Sequence, residues 1–246
     1  MKEVSSLWIG DSISDLEKLC IKSFIDHGYS YNLFTYTPQI KNLPPDVTLK
    51  NGSQILSKDK IFQYKSGFNK GSVSGFSNLF RYKLLYENGG IWVDTDLALL
   101  KPNLNFEKQN VFTTEVGEPP DGKFASALIK AQVGCPVLKE CLKEFKKVNV
   151  DKVQHGETGP ELVTQKLNET GLKKDNRVGL KSRKEYFPVY WEDTERIFYD
   201  EIDIKERWRT LHFCNAWITN ELNLNKNGSF PHWSIYERLK SKYLNA

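Results

Sequence analysis

The 246-residue chain has only four cysteines, Cys20, Cys135, Cys141 and Cys214, and no two of them form a CxxC pair or a zinc-ligand rhythm. A chain of this size closes its core without cross-links, so a disulfide framework is excluded and the four read as reduced core thiols of a cytosolic protein. No apolar run approaches the roughly 18 residues of a membrane span, and the opening MKEVSSLWIG lacks the apolar centre of a signal peptide. The expectation is a soluble chain that is not exported. Charge of one sign is barely in excess: 35 Lys and Arg face 31 Asp and Glu, a formal +4. That surplus suits anionic small molecules or surfaces, while scattered basic residues and the lack of any recognised nucleic-acid module argue against nucleic acid. The P-loop, G-x-G-x-x-G and G-x-S-x-G patterns are missing as well, which removes three common routes to phosphate binding or serine chemistry.

What is present is an ordinary globular composition, 39% hydrophobic and 27% charged, enough for one large or two small domains. Aromatics make up 13%, with six Trp and eleven Tyr, and flat side chains with a polar edge suit both cores and sugar or base stacking. Along the chain, SSLWIG reads as a strand ending in an open loop at Gly10 and Asp11. Ile13, Leu16, Leu19, Cys20 and Phe24 then recur at helical spacing up to a stop at Gly28, and YSYNLFTY is β-prone, completing a βαβ unit. In such sheets ligands sit at the carboxyl ends of the strands. A polar, Lys-rich stretch from the Pro-rich bend to about Ser74 predicts only short irregular elements.

FSNLFRYKLLYENGG predicts a helix capped by Ser77 and ended by Gly89, followed by a buried strand over Ile91 to Val93. Downstream, NVFTTEV reads as a strand, CPVLKECLKEFKKV as an amphipathic helix and TGPELVTQKLNET as a helix starting at Pro160. YFPVYW and TLHFCNAWI read as strands or loops, and a C-terminal amphipathic helix spans about 231–244, with Trp233, Tyr236, Leu239 and Tyr243 on one side. Alternating elements without repeats predict an α/β fold with one central mixed, mainly parallel sheet, and a single domain over 1–246.

The strand runs straight into Asp94-Thr95-Asp96. A D-x-D at a strand's ligand edge offers two hard oxygen ligands where Mg²⁺ or Mn²⁺ can join a phosphate-bearing substrate. Asp pairs also cap strand ends with no such role, so the neighbouring residues decide. Asn78 and Arg81 lie one turn apart on the preceding helix, and the whole block, GFSNLFRYKLLYENGGIWVDTD, resembles the sugar-binding region of nucleotide-sugar glycosyltransferases. That family includes fungal initiating mannosyltransferases, bacterial capsular polysaccharide transferases and relatives among the large glucosylating toxins. Its pattern carries an acid where this chain has Asn78.

The resemblance implies a GT-A type, Rossmann-like fold and transfer of a hexose or N-acetylhexosamine from a nucleotide-diphosphate sugar, UDP-linked in preference to GDP-linked. The acceptor would be a glycan or other hydroxyl, the configuration would be retained, and the setting would be surface-polysaccharide or glycan synthesis. It also implies Mn²⁺ or Mg²⁺ held by Asp94 and Asp96, with His212 and Asn215 of LHFCNAW as further metal or diphosphate contacts. Asp94, Asp96 and Arg81 become the catalytic candidates. Trp8 and Ile9, from an opening similar to the family's I-W-x-G, join Asn78, Arg81 and Asp94 as donor-binding candidates. The cysteine reading places the chain in the cytoplasm, with peripheral contact at the inner membrane face through the C-terminal helix as the lesser expectation beside simple docking of that helix on its own domain. Two other classes remain for comparison. The loss of an acid at Asn78 keeps a catalytically weak or inactive nucleotide-sugar binder in play. An aspartyl-phosphate phosphatase would also place D-x-D after a strand, but DTDLALL lacks its continuation and no matching Lys motif follows.

Overall fold

The computed structural model describes residues 2–244 and contains a seven-stranded mixed sheet with a smaller two-stranded ribbon beside it. The strands are β1 (Lys2–Trp8), β2 (Tyr29–Thr35), β3 (Val47–Asn51), β4 (Gly90–Val93), β5 (Leu97–Leu99), β6 (Asn110–Val116), β7 (Lys123–Ala131), β8 (Val178–Lys181) and β9 (Thr210–His212). The helices are α1 (Asp15–Asp26), α2 (Ser74–Asn88), α3 (Pro136–Phe145), α4 (Leu162–Glu169), α5 (Arg183–Tyr186), α6 (Arg196–Tyr199), α7 (Asn215–Asn220) and α8 (Ile235–Leu244). In the large sheet the order is β3-β2-β1-β4-β7-β6-β8. Pairing is parallel throughout except where β7 runs against β4 and β6, so the expected α/β class with a mixed, mainly parallel central sheet flanked by helices is what forms.

The expected βαβ unit is β1-α1-β2, with β1 and β2 in parallel register from Lys2↔Tyr29 to Trp8↔Thr35. Helix α1 opens on a capping box in which Glu17 reaches back to Ser14. One face of the sheet carries α2, α3 and α4, sealed by Phe76, Phe80, Leu85, Trp92, Leu138 and Val163. Ile21, Phe24, Tyr31 and Leu33 fill the opposite face under α1. Beyond α1, a third cluster joins Leu16 and Cys20 to Phe198, Phe213, Ile235, Tyr236 and Tyr243. Burying each such large side chain contributes about 1.5–3 kcal/mol. Cys20, Cys135 and Cys141 are buried free thiols and Cys214 is half-buried, with none in a disulfide.

Several boundaries differ from the sequence reading. Helix α2 begins at Ser74, so Ser77 lies inside the first turn, where its carbonyl and hydroxyl accept from Arg81. Gly75 permits the earlier start, because a Cβ there would press on Phe62 and Tyr64. The stretch after Gly156 is an irregular turn, Glu157–Glu161, with Gly159 outside helical geometry, and regular helix resumes only at Leu162. YFPVYW closes α5 and continues as loop into a tight turn at Trp191–Asp193. The nine-residue β7 has no counterpart in that reading. Seven of its nine residues are buried between β4 and β6, which removes the alternation that marks a half-buried strand.

The C-terminal helix starts at Ile235, and Trp233 precedes it with 44% of its surface exposed. Ile235, Tyr236, Leu239 and Tyr243 are buried against α1 and its neighbours, so the apolar side of α8 is spent inside the fold. Among the described residues no helix is long and apolar enough to cross a membrane.

Gly89 ends α2 as expected, with φ 69° and ψ −164°, a conformation open essentially to glycine alone. A Cβ there would also stand 3.1 Å from the Val133 amide nitrogen and 3.2 Å from the Ala131 carbonyl oxygen. Gly89→Ala should therefore lower stability by about 1–3 kcal/mol in denaturant melts. An unchanged midpoint would show that the chain turns into β4 by another route.

Candidate active site

Strand β4 lies between β1 and β7, with Trp92 opposite Ser5 and Val93 opposite Leu128. Its exit is pinned: the Asp94 amide donates to the Ala127 carbonyl at 2.9 Å, and the Leu97 amide donates back to the Asp94 carbonyl at 3.1 Å. That turn carries Asp94 and Asp96 and leads into β5. Antiparallel pairing of β5 with β9 then sets Leu97 opposite His212. An acid pair and a histidine 116 positions beyond Asp96 thereby meet. Asp94, Asp96 and His212 each offer a ligand atom within 4.8 Å of the others, and among the described residues this is the one such cluster of three.

Each carboxylate has its own supports. Asp94 Oδ1 accepts from Trp92 Nε1 at 2.7 Å and pairs with Arg81 Nη2 at 3.0 Å. The Arg81 guanidinium lies 4.9 Å over the Trp92 ring, donates to the Ser126 carbonyl and to Ser77, and is almost wholly buried. Asp96 Oδ1 is 3.2 Å from His212 Nε2, and Oδ2 accepts the Asn215 amide at 2.6 Å. Burial opposes ionisation of both acids, with different outcomes. For Asp94, desolvation outweighs the opposing Arg81 charge, and Asp96 adds repulsion, so its pKa is raised. For Asp96, desolvation is overcome by His212 and the Asn215 amide, and its pKa is lowered to about 2. His212 is desolvated too, yet its neighbours Cys214 and Asp96, with the hydrogen bond to Asp96, hold its pKa well above the usual 6.5.

A further layer holds Asn215. Its side-chain amide donates to Glu17 Oε1 at 2.7 Å, and Lys226 Nζ reaches the same oxygen at 2.6 Å. Glu17 is fully buried, and its other oxygen accepts from Ser14. Asn215 Oδ1 is buried and has no hydrogen-bond partner among the described residues. Between β9 and α7, Cys214 adopts φ 53°, ψ 61°, a left-handed geometry that turns the Asn215 N–H toward Asp96. Such a residue costs about 1–2 kcal/mol when it is not glycine, and here the surrounding contacts hold it.

The remaining candidates are more dispersed. Asn78 is buried on α2, where Nδ2 donates to Thr158 Oγ1 at 3.3 Å and would crowd any Cβ at Gly159. It thus braces the irregular turn before α4. Trp8 stands half-buried at the carboxyl end of β1, its Nε1 tied to the Ser12 carbonyl at 2.9 Å, with Lys226 Nζ 5.8 Å over the ring. Ile9 packs on the core behind it. Glu17, Trp92, Ser126, Cys214 and Lys226 are site components that sequence patterns did not single out. Only Glu17 had a signal, S-x-x-E at a helix start, which speaks of capping alone.

Residues 14–113 match the family described as glycosyltransferase sugar-binding region containing DXD motif, and residues 130–243 match the alpha 1,4-glycosyltransferase conserved region. Asn78, Arg81, Asp94 and Asp96 fall in the first segment, and His212 and Asn215 in the second. The two matches support a glycosyltransferase. No curated protein matches the chain in sequence. Among solved structures, the PaToxG glycosyltransferase is similar at 17% identity over 69% of each chain, with a TM-score of 0.46. A glycosyltransferase involved in glycosylation of the major capsid of PBCV-1 is similar at 10% identity, over 86% of this chain and 93% of that one, with a TM-score of 0.41.

Removing Arg81 leaves Asp94 desolvated without its counter-charge. Arg81→Met should cost about 3–5 kcal/mol near neutral pH, the usual penalty for breaking a buried ion pair. Asp94 already has a raised pKa, so the deficit should shrink as acid protonates it and the unpaired charge disappears. Denaturant melts across pH check this: a deficit independent of pH would show that Arg81 acts through packing alone.

Proposed function

We propose that this chain is a metal-dependent glycosyltransferase that moves a hexose or N-acetylhexosamine from a nucleotide-diphosphate sugar to a hydroxyl of a saccharide or other acceptor, with retention. The observation that carries the reading is the meeting of Asp94, Asp96 and His212 at the carboxyl end of a central strand. Two carboxylates and one imidazole form an oxygen-rich donor set with one nitrogen, which suits Mn²⁺ better than Mg²⁺. Asn215, whose backbone amide meets Asp96, carries a buried Oδ1 without a partner among the described residues. A divalent ion held there would supply positive charge to a departing nucleoside diphosphate.

The chain's own groups have separable tasks in this reading. Arg81 and Trp92 both engage Asp94 Oδ1, which fixes the carboxylate plane and leaves Oδ2 without either of these partners. With its hydrogen bonds already made to Asp94, Ser77 and Ser126, Arg81 acts on the donor chiefly through charge and through Asp94. The Asn215 amide and His212 hold Asp96 ionised. Trp8 and Ile9, at the end of β1, provide the edge where a nucleoside would rest, and UDP is the favoured nucleotide. Retention leaves the leaving phosphate oxygen to take the acceptor's proton.

A second reading, a nucleotide-sugar binder with little turnover, rests on Asn78. A carboxylate at that position could accept two sugar hydroxyls, whereas the amide here has one acceptor oxygen and already spends one N–H on Thr158.

One experiment separates the readings: a panel of UDP- and GDP-sugars with Mn²⁺, followed by thermal shift and by release of nucleoside diphosphate. A ligand at one hundred times its dissociation constant adds about 2.7 kcal/mol to stability. The parent should show both a shift and release, and Asp96→Asn should lose the metal-dependent part of each. The shift should weaken as pH falls, beginning above 6.5, because protons on His212 and Asp94 compete with the metal, and both hold them more tightly than usual. A shift without release establishes the binder; neither effect with any donor rejects both.

A further inference from the structure

Next to the Asp96 support lies a group of aromatic rings that the fold does not use as core. Trp217 follows Asn215 on α7 by two residues. Its ring meets Trp191 at 4.6 Å with an interplanar angle of 81°, and Phe68 at 5.7 Å and 47°. Tyr190 precedes Trp191 and is covered on one side by the Arg183 guanidinium, 3.5 Å from the ring centre. Phe68, Tyr190 and Trp191 are 37%, 37% and 41% exposed. None of these four aromatics packs in any of the three hydrophobic clusters. They come from three separate loops or short elements, which converge only here.

Two polar atoms in the same place lack partners. Trp217 Nε1 and Asn69 Nδ2 are buried donors with no acceptor among the described residues, although Asn69 Oδ1 accepts from Asn220 Nδ2 at 2.6 Å. An unsatisfied buried donor is costly and marks a place where an acceptor from outside belongs. Exposed aromatic faces beside unpaired donors suit a ligand with apolar C–H surface and many oxygens. The near-perpendicular Trp191–Trp217 pair forms a corner with no parallel slot for a flat base. A puckered sugar ring fits such a corner.

We propose that Phe68, Trp191 and Trp217, with Tyr190 at the rim, seat the acceptor saccharide. The proposal rests on the glycosyltransferase reading and names the acceptor side of that site as a carbohydrate surface. The seat begins two residues from the amide that holds Asp96, on the same short helix as that support of the acid pair.

The test uses the full chain on a glycan array in the presence of Mn²⁺ and UDP, beside thermal shift with Mn²⁺ and UDP alone. The parent should bind a defined subset of saccharides. Trp191→Ala and Phe68→Ala should each weaken that binding at least tenfold while the UDP shift persists. Trp233→Ala, an exposed tryptophan elsewhere, should keep both. Undiminished glycan binding by Trp191→Ala overturns the proposal, as does a parent that binds UDP but no saccharide. Loss of the UDP shift in Trp191→Ala also overturns it and makes the corner part of the nucleotide site. A parent with saccharide binding but no response to Mn²⁺ and UDP instead counts against the donor reading, with the acceptor seat upheld if Trp191→Ala loses the glycan.

Discussion

Two carboxylates one residue apart, drawn out of water at the end of a central strand, repel each other and resist ionisation. Much of the surrounding structure answers that conflict. Arg81 and Trp92 grip one side of Asp94, and the Asn215 amide and His212 grip Asp96, so the two acids are supported by different elements from opposite directions. The residual strain falls on Asp94, whose pKa stays raised. A dication bound there would relieve it, because the charge that the fold supplies only in part would then come from the ligand.

The supports also tie distant parts of the chain together. Glu17 belongs to the first helix, yet its buried carboxylate fixes Asn215, 198 residues away, and through it the orientation of Asp96. The β5–β9 ribbon brings His212 to the same place, and the left-handed Cys214 sets the direction in which α7 leaves. That same helix carries Trp217, so one of the proposed acceptor-side aromatics shares a short element with the amide that supports Asp96.

Local pattern made the frame legible. The period of α1, the stop at Gly89, the apolar run of β4 and the D-x-D after it could all be read because each depends on neighbours within a turn or two. What escaped depends on pairing across the chain. A three-residue strand such as β5 or β9 has too few residues to show alternation, and β7 hides it by being buried on both faces. Glu17 announced itself only as a cap, since the partners that give it a second role lie at the other end of the sequence. The Cys214 geometry had no signal, because a cysteine gives no hint of a positive φ. Ser77 was misplaced for a related reason: the residues that allow α2 to begin earlier, Phe62 and Tyr64, lie in the stretch where no regular element was expected.

The central claim is that Asp94, Asp96 and His212 jointly hold a divalent ion. Electron paramagnetic resonance of Mn²⁺ titrated into the protein with UDP tests it most directly, since bound Mn²⁺ loses the free-ion signal and its spin echo reports a coordinated imidazole nitrogen. The account predicts one bound ion with a nitrogen coupling that disappears in His212→Ala and binding that disappears in Asp96→Asn. Tight binding without any nitrogen coupling, or affinity unchanged in Asp96→Asn, would contradict it.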